Sequence, residues 1–144
     1  MGIVAIGCDH AAYEMKEALK DHLKERGYDV KDFGTDSEVS CDYPDFAKKV
    51  AHAVADGEAE QGVLVCGTGI GMSIAANKVK GIRAAVVGDS FSAKATREHN
   101  DANILCMGAR VIDIPKAIEF LDIFLDTPFS EGENHIRRIS KLEE

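Results

Sequence analysis

Apolar, β-branched runs alternate with amphipathic stretches along the whole chain, and this alternation limits its fold more than any other feature. "IVAIG" (3–7) reads as a strand, and "AAYEMKEALKDHLKERG" (11–27) follows with Met15, Leu19 and Leu23 at helical spacing and Gly27 as its stop. "YDVKDFG" (28–34) is a second strand; "YPDFAKKVAHAVADG" (43–57) is a second helix, with Pro44 near its start and Gly57 at its end. "GVLVC" (62–66) is a wholly apolar strand of the kind covered on both faces. A helix over 71–81, a strand over 82–88, a helix over 89–100 opened by an Asp, and a fifth strand over 103–108 come next. "DIPKAIEFLDIFLD" (113–126) is an amphipathic helix with Asp113 as its N-cap, and Ile136, Ile139 and Leu142 are spaced for one more helix.

Five strands separated by helices predict right-handed crossovers and one domain over residues 1–144. Its expected class is α/β: a three-layer α/β/α, Rossmann-like (flavodoxin-like) domain with a five-stranded parallel sheet and an extra C-terminal helix. A chain of 144 residues can bury one sizeable core, and no linker, repeat or low-complexity segment divides it. In open sheets of this kind ligands bind beyond the carboxyl ends of the strands, near the switch in strand order. The polar and glycine residues gather at those ends: Cys8-Asp9-His10, Gly34 to Asp42, Cys66 to Gly71, Gly88-Asp89 and Gly108-Ala109-Arg110.

The glycine run Gly67, Gly69 and Gly71 comes one residue short of the dinucleotide fingerprint, follows the third strand, and lacks the G-K-[ST] ending of a P-loop. What remains is a strand, a flexible loop and a helix N-terminus. Such a loop either cradles an anion on its backbone N–H groups or simply turns the chain. Cys66, at its mouth, is either a small buried residue or a thiol whose thiolate the helix N-terminus favours, fit to act as base or nucleophile. His99-Asn100 closes a helix at the strand ends; alone it reads equally as a surface or capping pair. Asp9 is as well suited to capping a helix as to holding a ligand, and Arg137-Arg138 to a solvated face as to an anion.

A net charge of -8 argues against broad contact with nucleic acid or an anionic membrane, so an anionic ligand must be held by a local cluster of Arg and His. Four cysteines at 8, 41, 66 and 106 show neither zinc-like spacing nor a C-x-x-C pair. No apolar stretch is long enough to cross a bilayer, no basic segment leads into a signal-like run, and Ile6 stands where a myristoylation signal wants Ser or Thr. The expectation is a cytoplasmic protein.

Together, "GCDHAAYEMK", "DYPDFA" (42–47), "CGTGIGMSIAANKVKGIRAA" (66–85), "REHNDANIL" (97–105) and "GARV" (108–111) closely resemble the type B ribose-5-phosphate isomerases. That family includes the galactose-6-phosphate isomerase subunits and allose-6-phosphate isomerases. The resemblance implies an aldose–ketose isomerase with no metal or other cofactor, interconverting ribose 5-phosphate and ribulose 5-phosphate through a cis-enediolate. It implies Cys66 as the base between C1 and C2, with Thr68 and the backbone of Gly67, Gly69, Ile70 and Gly71 as cradle for the enediolate oxygens. It implies His99 as the group that opens the furanose ring, with Asp42 as helper, and Asp9, His10 and Asn100 as sugar and phosphate contacts. Arg110 and Arg138 are implied as phosphate ligands, and Asn134 stands in the same segment. The implied partners are a phosphorylated sugar and a second copy of the chain, in a homodimer or a tetramer with sites at the interface, and neither nucleic acid nor membrane.

One position departs from the family pattern: Gly132-Glu133-Asn134-His135 stands where the pattern reads G-G-R-H, so a guanidinium is missing at 134. This bears on the substrate more than on the reaction. The alternatives are the same chemistry on a six-carbon sugar phosphate and, from another class, a non-catalytic flavodoxin-like phospho-ligand module. The retained Asp9-His10 and His99-Asn100 favour the pentose, and a third strand ending in Cys66 rather than Asp argues against a receiver.

Overall fold

The computed structural model describes residues 2–144. Five strands, β1 (Ile3–Cys8), β2 (Asp29–Asp32), β3 (Gln61–Cys66), β4 (Ala84–Val86) and β5 (Ile104–Gly108), form one parallel sheet in the order β2-β1-β3-β5-β4. The helices are α1 (Tyr13–Glu25), α2 (Tyr43–Ala55), α3 (Ile70–Asn77), α4 (Ser90–Asn100), α5 (Ile114–Asp126) and α6 (Glu133–Leu142), with a 3-10 turn over His10–Ala12. This is the expected three-layer α/β/α domain with its extra C-terminal helix. The last two strands stand exchanged relative to the 2-1-3-4-5 order of flavodoxins. The chain therefore steps out from β3 to the edge at β4 and returns to place β5 at β3's side.

The layers follow from the period of two along the central strands. Val4, Ile6 and Cys8 of β1, Val63 and Val65 of β3, and Leu105 and Met107 of β5 face one way and pack under α1, α4 and α5. Ala5, Leu64, Cys66, Ile104 and Cys106 face the other way and pack under α2 and α3. Three of the helices, α2, α4 and α5, have starts that their sequence dictates. Asp89 and Asp113 accept the amides of Ser92 and Lys116 at 2.7 and 2.9 Å, and Pro44 and Pro115 occupy first-turn positions of α2 and α5.

Several elements are shorter than the sequence predicts, each for a local reason. The first helix opens as a 3-10 turn because Asp9 accepts the amide of Ala11. The second strand stops at Asp32, since Gly34 turns away at φ +100 while Thr35 still donates to the Cys8 carbonyl. The α3 helix ends at Asn77, whose side-chain amide bonds both the N–H and the C=O of Ala84 and so stitches the edge strand to the helix. With β5 as its one neighbour, β4 pairs over only Ala84–Val86; short edge strands of this kind limit unwanted pairing. Among the described residues no helix is long and apolar enough to cross a membrane.

Candidate active site

Strand order reverses between β1, which leads to β2 through α1, and β3, reached through α2, and the crevice rule places ligands at their carboxyl ends. There Cys66 ends β3 and the loop 67–69 turns the chain into α3. Gly69 is the N-cap residue, at φ +83, and its amide points back to the Cys66 Sγ at 3.1 Å. Two close approaches force the loop into this shape. A β-carbon on Gly69 would stand 3.0 Å from the backbone of Met107, and one on Gly108 would stand 2.6 Å from the backbone of Thr68. The loop thus rests directly on the end of β5, and backbone bonds from Ala109 to the Cys66 carbonyl (2.9 Å) and from Arg110 to the Gly67 carbonyl (3.0 Å) extend that contact.

The result is a nearly buried sulfur, 5 % exposed, behind the first turn of a helix and facing a backbone N–H donor. Both features favour negative charge on a ligand held beside it. Two other cysteines, Cys8 and Cys106, are also buried. Burial pushes the Cys8 thiol up to about 12 despite the nearby Lys16 ammonium. Cys106, wholly enclosed, is raised further, first by burial and then by Cys66.

The neighbours of the loop are as follows. Thr68 is exposed, its Oγ1 accepting the Ile70 amide at 3.2 Å, and Ile70 and Gly71 open α3. The Arg110 side chain lies over Gly67, with its Cδ 3.5 Å from where a β-carbon would be. At the end of β1, Asp9 donates its amide to the Val65 carbonyl (3.2 Å), which sets it beside the mouth of the loop, while its Oδ1 caps the 3-10 turn. His10 Nδ1 accepts the amide of Cys41 at 3.3 Å, an arrangement that puts the ring proton on Nε2 as a donor. Asp42 occupies the N-cap position of α2, yet its carboxylate makes no capping bond and stays exposed.

Tyr43 is a residue the sequence reading missed. Its ring covers Gly71 so closely that a β-carbon there would stand 2.7 Å from the ring. The motif "DYP" drew attention to Asp42, but nothing local to it shows that the next side chain closes over the glycine loop.

The chain does not bring His99, Asn100, Asn134 and Arg138 to this place. The reading that His99-Asn100 closes a helix at the ligand-binding strand ends is corrected by the direction of α4. That helix starts at the carboxyl end of β4 and runs antiparallel to the strands, so its last turn lies at the amino ends of β4 and β5. Arg83, just before β4, bonds the Asn100 carbonyl there. The five residues of β5, at about 3.3 Å each, separate the two ends by about 16 Å.

At this far end His99 stacks on His135, with ring centroids 4.5 Å apart and planes 15° from parallel. Desolvation, the His99 ring and Arg138 hold His135 below the usual imidazole range. Asn134 uses its Oδ1 on the His135 amide (3.0 Å), and Arg138 follows one turn later, exposed. Among the described residues Arg110, Arg137 and Arg138 join no ion pair.

Known proteins match this architecture from end to end. Ribose-5-phosphate isomerase B of Escherichia coli (strain K12) is 45% identical over 139 residues, covering 96% of this chain and 93% of that protein. D-erythrulose-4-phosphate isomerase of Pectobacterium atrosepticum is 43% identical over 140 residues, covering 96% and 91%. The solved structure of Clostridium thermocellum ribose-5-phosphate isomerase B superposes with a TM-score of 0.96 at 50% identity, covering 98% of this chain and 95% of that one. A family model described as Ribose/Galactose Isomerase matches residues 4–142, and the chain belongs to that family.

Proposed function

We propose that the chain is an aldose–ketose isomerase interconverting ribose 5-phosphate and ribulose 5-phosphate, with Cys66 as its proton-transferring base. The observation that carries this is the Cys66 thiol set against the Gly69 amide at the mouth of the glycine loop. A proton α to a carbonyl is weakly acidic, so a positioned base must act together with stabilisation of the developing oxyanion. Cys66 as thiolate takes the C2 proton of the open-chain aldose, and the C2 electron pair moves to give the cis-enediolate. The Thr68 hydroxyl and the backbone of 67–71 hold its oxygens. The same thiol returns the proton to C1, the O2 hydroxyl proton passes to O1 within the cradle, and the carbonyl is left at C2.

Asp9 and His10, with its Nε2 proton, bind the sugar from the β1 side. Arg110 takes the phosphate on the loop side, and Asp42 assists proton transfer during ring opening. His99, Asn100 and Arg138 act in the site of a second copy, because their own chain carries them to the opposite end of the sheet. Asn134 accompanies them as a polar contact. Exposed apolar side chains flank the loop and the β4 edge: Ile70 (53 %), Ile74 (56 %), Val86 (43 %) and Phe91 (78 %). A second copy laid antiparallel across them would bury apolar surface and bring His99 to Cys66. The assembly is a homodimer, acting in the cytoplasm.

A second reading, an isomerase of a six-carbon sugar phosphate, is favoured by one observation: Asn134 spends its carbonyl on its own helix and offers no guanidinium to a phosphate. Assays of Cys66→Ala on ribose 5-phosphate and allose 6-phosphate test both readings. Turnover should fall by about 10²–10⁴-fold on the true substrate while sugar-phosphate affinity persists. Full activity in that variant would remove Cys66 as the base, and a higher kcat/KM of the wild type for the six-carbon substrate would replace the pentose.

A further inference from the structure

Arg83 stands one residue before β4, and its side chain joins three elements. Its Nε donates to the carbonyl of Asn100 (3.0 Å) and its Nη2 to that of Asp101 (2.9 Å), the last groups of α4. Its Nη1 pairs with Glu143 Oε1 at 2.6 Å, just beyond α6, and its backbone amide donates to Asn103 Oδ1 at 2.8 Å. The carbonyls at a helix C-terminus have no partner within the helix, and a cation there also meets the negative end of its dipole.

The turn that Arg83 holds is an unusual one. Asp101 caps α4 in the left-handed region at φ 46, ψ 45, which a residue with a β-carbon keeps only where its surroundings enforce it. Arg97 grips the Asp101 carboxylate from the other side, Nη1 to Oδ1 at 2.8 Å. The residues just before this turn are His99 and Asn100. The helix tethered through Glu143 carries His135, stacked on His99, and Arg138.

We infer that Arg83 is a positioning residue for the isomerisation: its planar fork fixes the turn that presents His99 and Asn100, and its bond to Glu143 fixes the helix that presents Arg138. The inference rests on the reading of His99 and Arg138 given above. Arg83 need touch no substrate. Its side chain is 20 % exposed and Glu143's is 33 % exposed, so the ion pair alone contributes little. The function comes from one rigid guanidinium meeting carbonyl and carboxylate acceptors at once, which the point charge of lysine cannot reproduce.

Arg83→Lys and Glu143→Ala separate the two arms. Arg83→Lys should lower kcat on ribose 5-phosphate by about tenfold or more, misplacement by about 1 Å being able to cost 10²-fold. It should cost much less on erythrose 4-phosphate, whose terminal hydroxyl is phosphorylated and cannot close a furanose ring. Glu143→Ala, which removes the acceptor itself, should raise KM several-fold and leave kcat near wild type. Far-UV circular dichroism checks that both variants are folded. Equal losses on the two sugars, or wild-type kinetics in Arg83→Lys, would overturn the inference. Hydrogen exchange at the amides of 99–103 reads the brace without reference to activity: faster exchange in Arg83→Lys is expected, and unchanged exchange also overturns it. His99→Asn is assayed alongside. Full activity there would refute the ring-opening reading itself, while the exchange result still decides whether Arg83 holds the turn.

Discussion

If Cys66 and His99 serve one site from two chains, two inactive variants should make an active enzyme together. In a Cys66→Ala homodimer both sites lack the base, and in a His99→Asn homodimer both lack the ring-opening group. A heterodimer of the two places both lesions in one site. Its other site joins the intact Cys66 of one chain to the intact His99 of the other. Random association makes half the dimers mixed, each with one whole site of two, so the mixture should recover about a quarter of wild-type activity. The assay is ribulose 5-phosphate formation after the two proteins are co-expressed, or unfolded together and refolded. The geometry leaves little room for the other outcome, because the length of β5, about 16 Å over five residues, lies between the ends that carry Cys66 and His99. If each chain completed its own site, no mixture could rise above the sum of the two variants. A mixture that stays at that baseline, with mixed dimers demonstrated by mass, would refute the composite site.

Two further outcomes follow from the packing. Gly108→Ala drives a methyl to 2.6 Å from the Thr68 backbone, so stability should fall by about 1–3 kcal/mol in denaturant unfolding, and kcat should fall with the displaced loop. An Ala variant with wild-type kcat would show that the seat of the loop on β5 is not needed. Asp32 receives the nearly buried Lys16 ammonium at 2.9 Å and the Gly34 amide at 2.8 Å, and these bonds outweigh burial and hold its carboxyl below the usual range. Its folded value is thus lower than its unfolded one, so its contribution is present above about pH 4 and is lost as pH falls through the folded value. Asp32→Asn should cost about 1.5–3 kcal/mol at pH 7, with the gap to wild type closing toward pH 2 in thermal or urea unfolding; a gap independent of pH would contradict the linkage.

What the sequence disclosed and what it withheld differ by range. The alternation of Val63 and Val65 against Leu64 and Cys66 sets both faces of β3 by itself, and Asp89 and Asp113 announce their helices from within a few residues. Element ends were less legible because they depend on neighbours: α3 stops at Asn77 since that side chain bonds Ala84 on the edge strand, a contact no helix propensity contains. The Tyr43 ring over Gly71 and the Arg83–Glu143 bond, sixty residues apart, are longer still in range. His99 shows a different limit. That a helix returning from a strand's carboxyl end delivers its last turn to the amino end follows from parallel topology alone. Once that is applied, Cys66 and His99 cannot share a site within one molecule. The motifs resemble those of one active site, yet the fold of a single chain spreads them over two ends. The proposed dimer would bring them together by symmetry, with Ile70, Ile74, Val86 and Phe91, apolar and left uncovered by their own chain, in the contact.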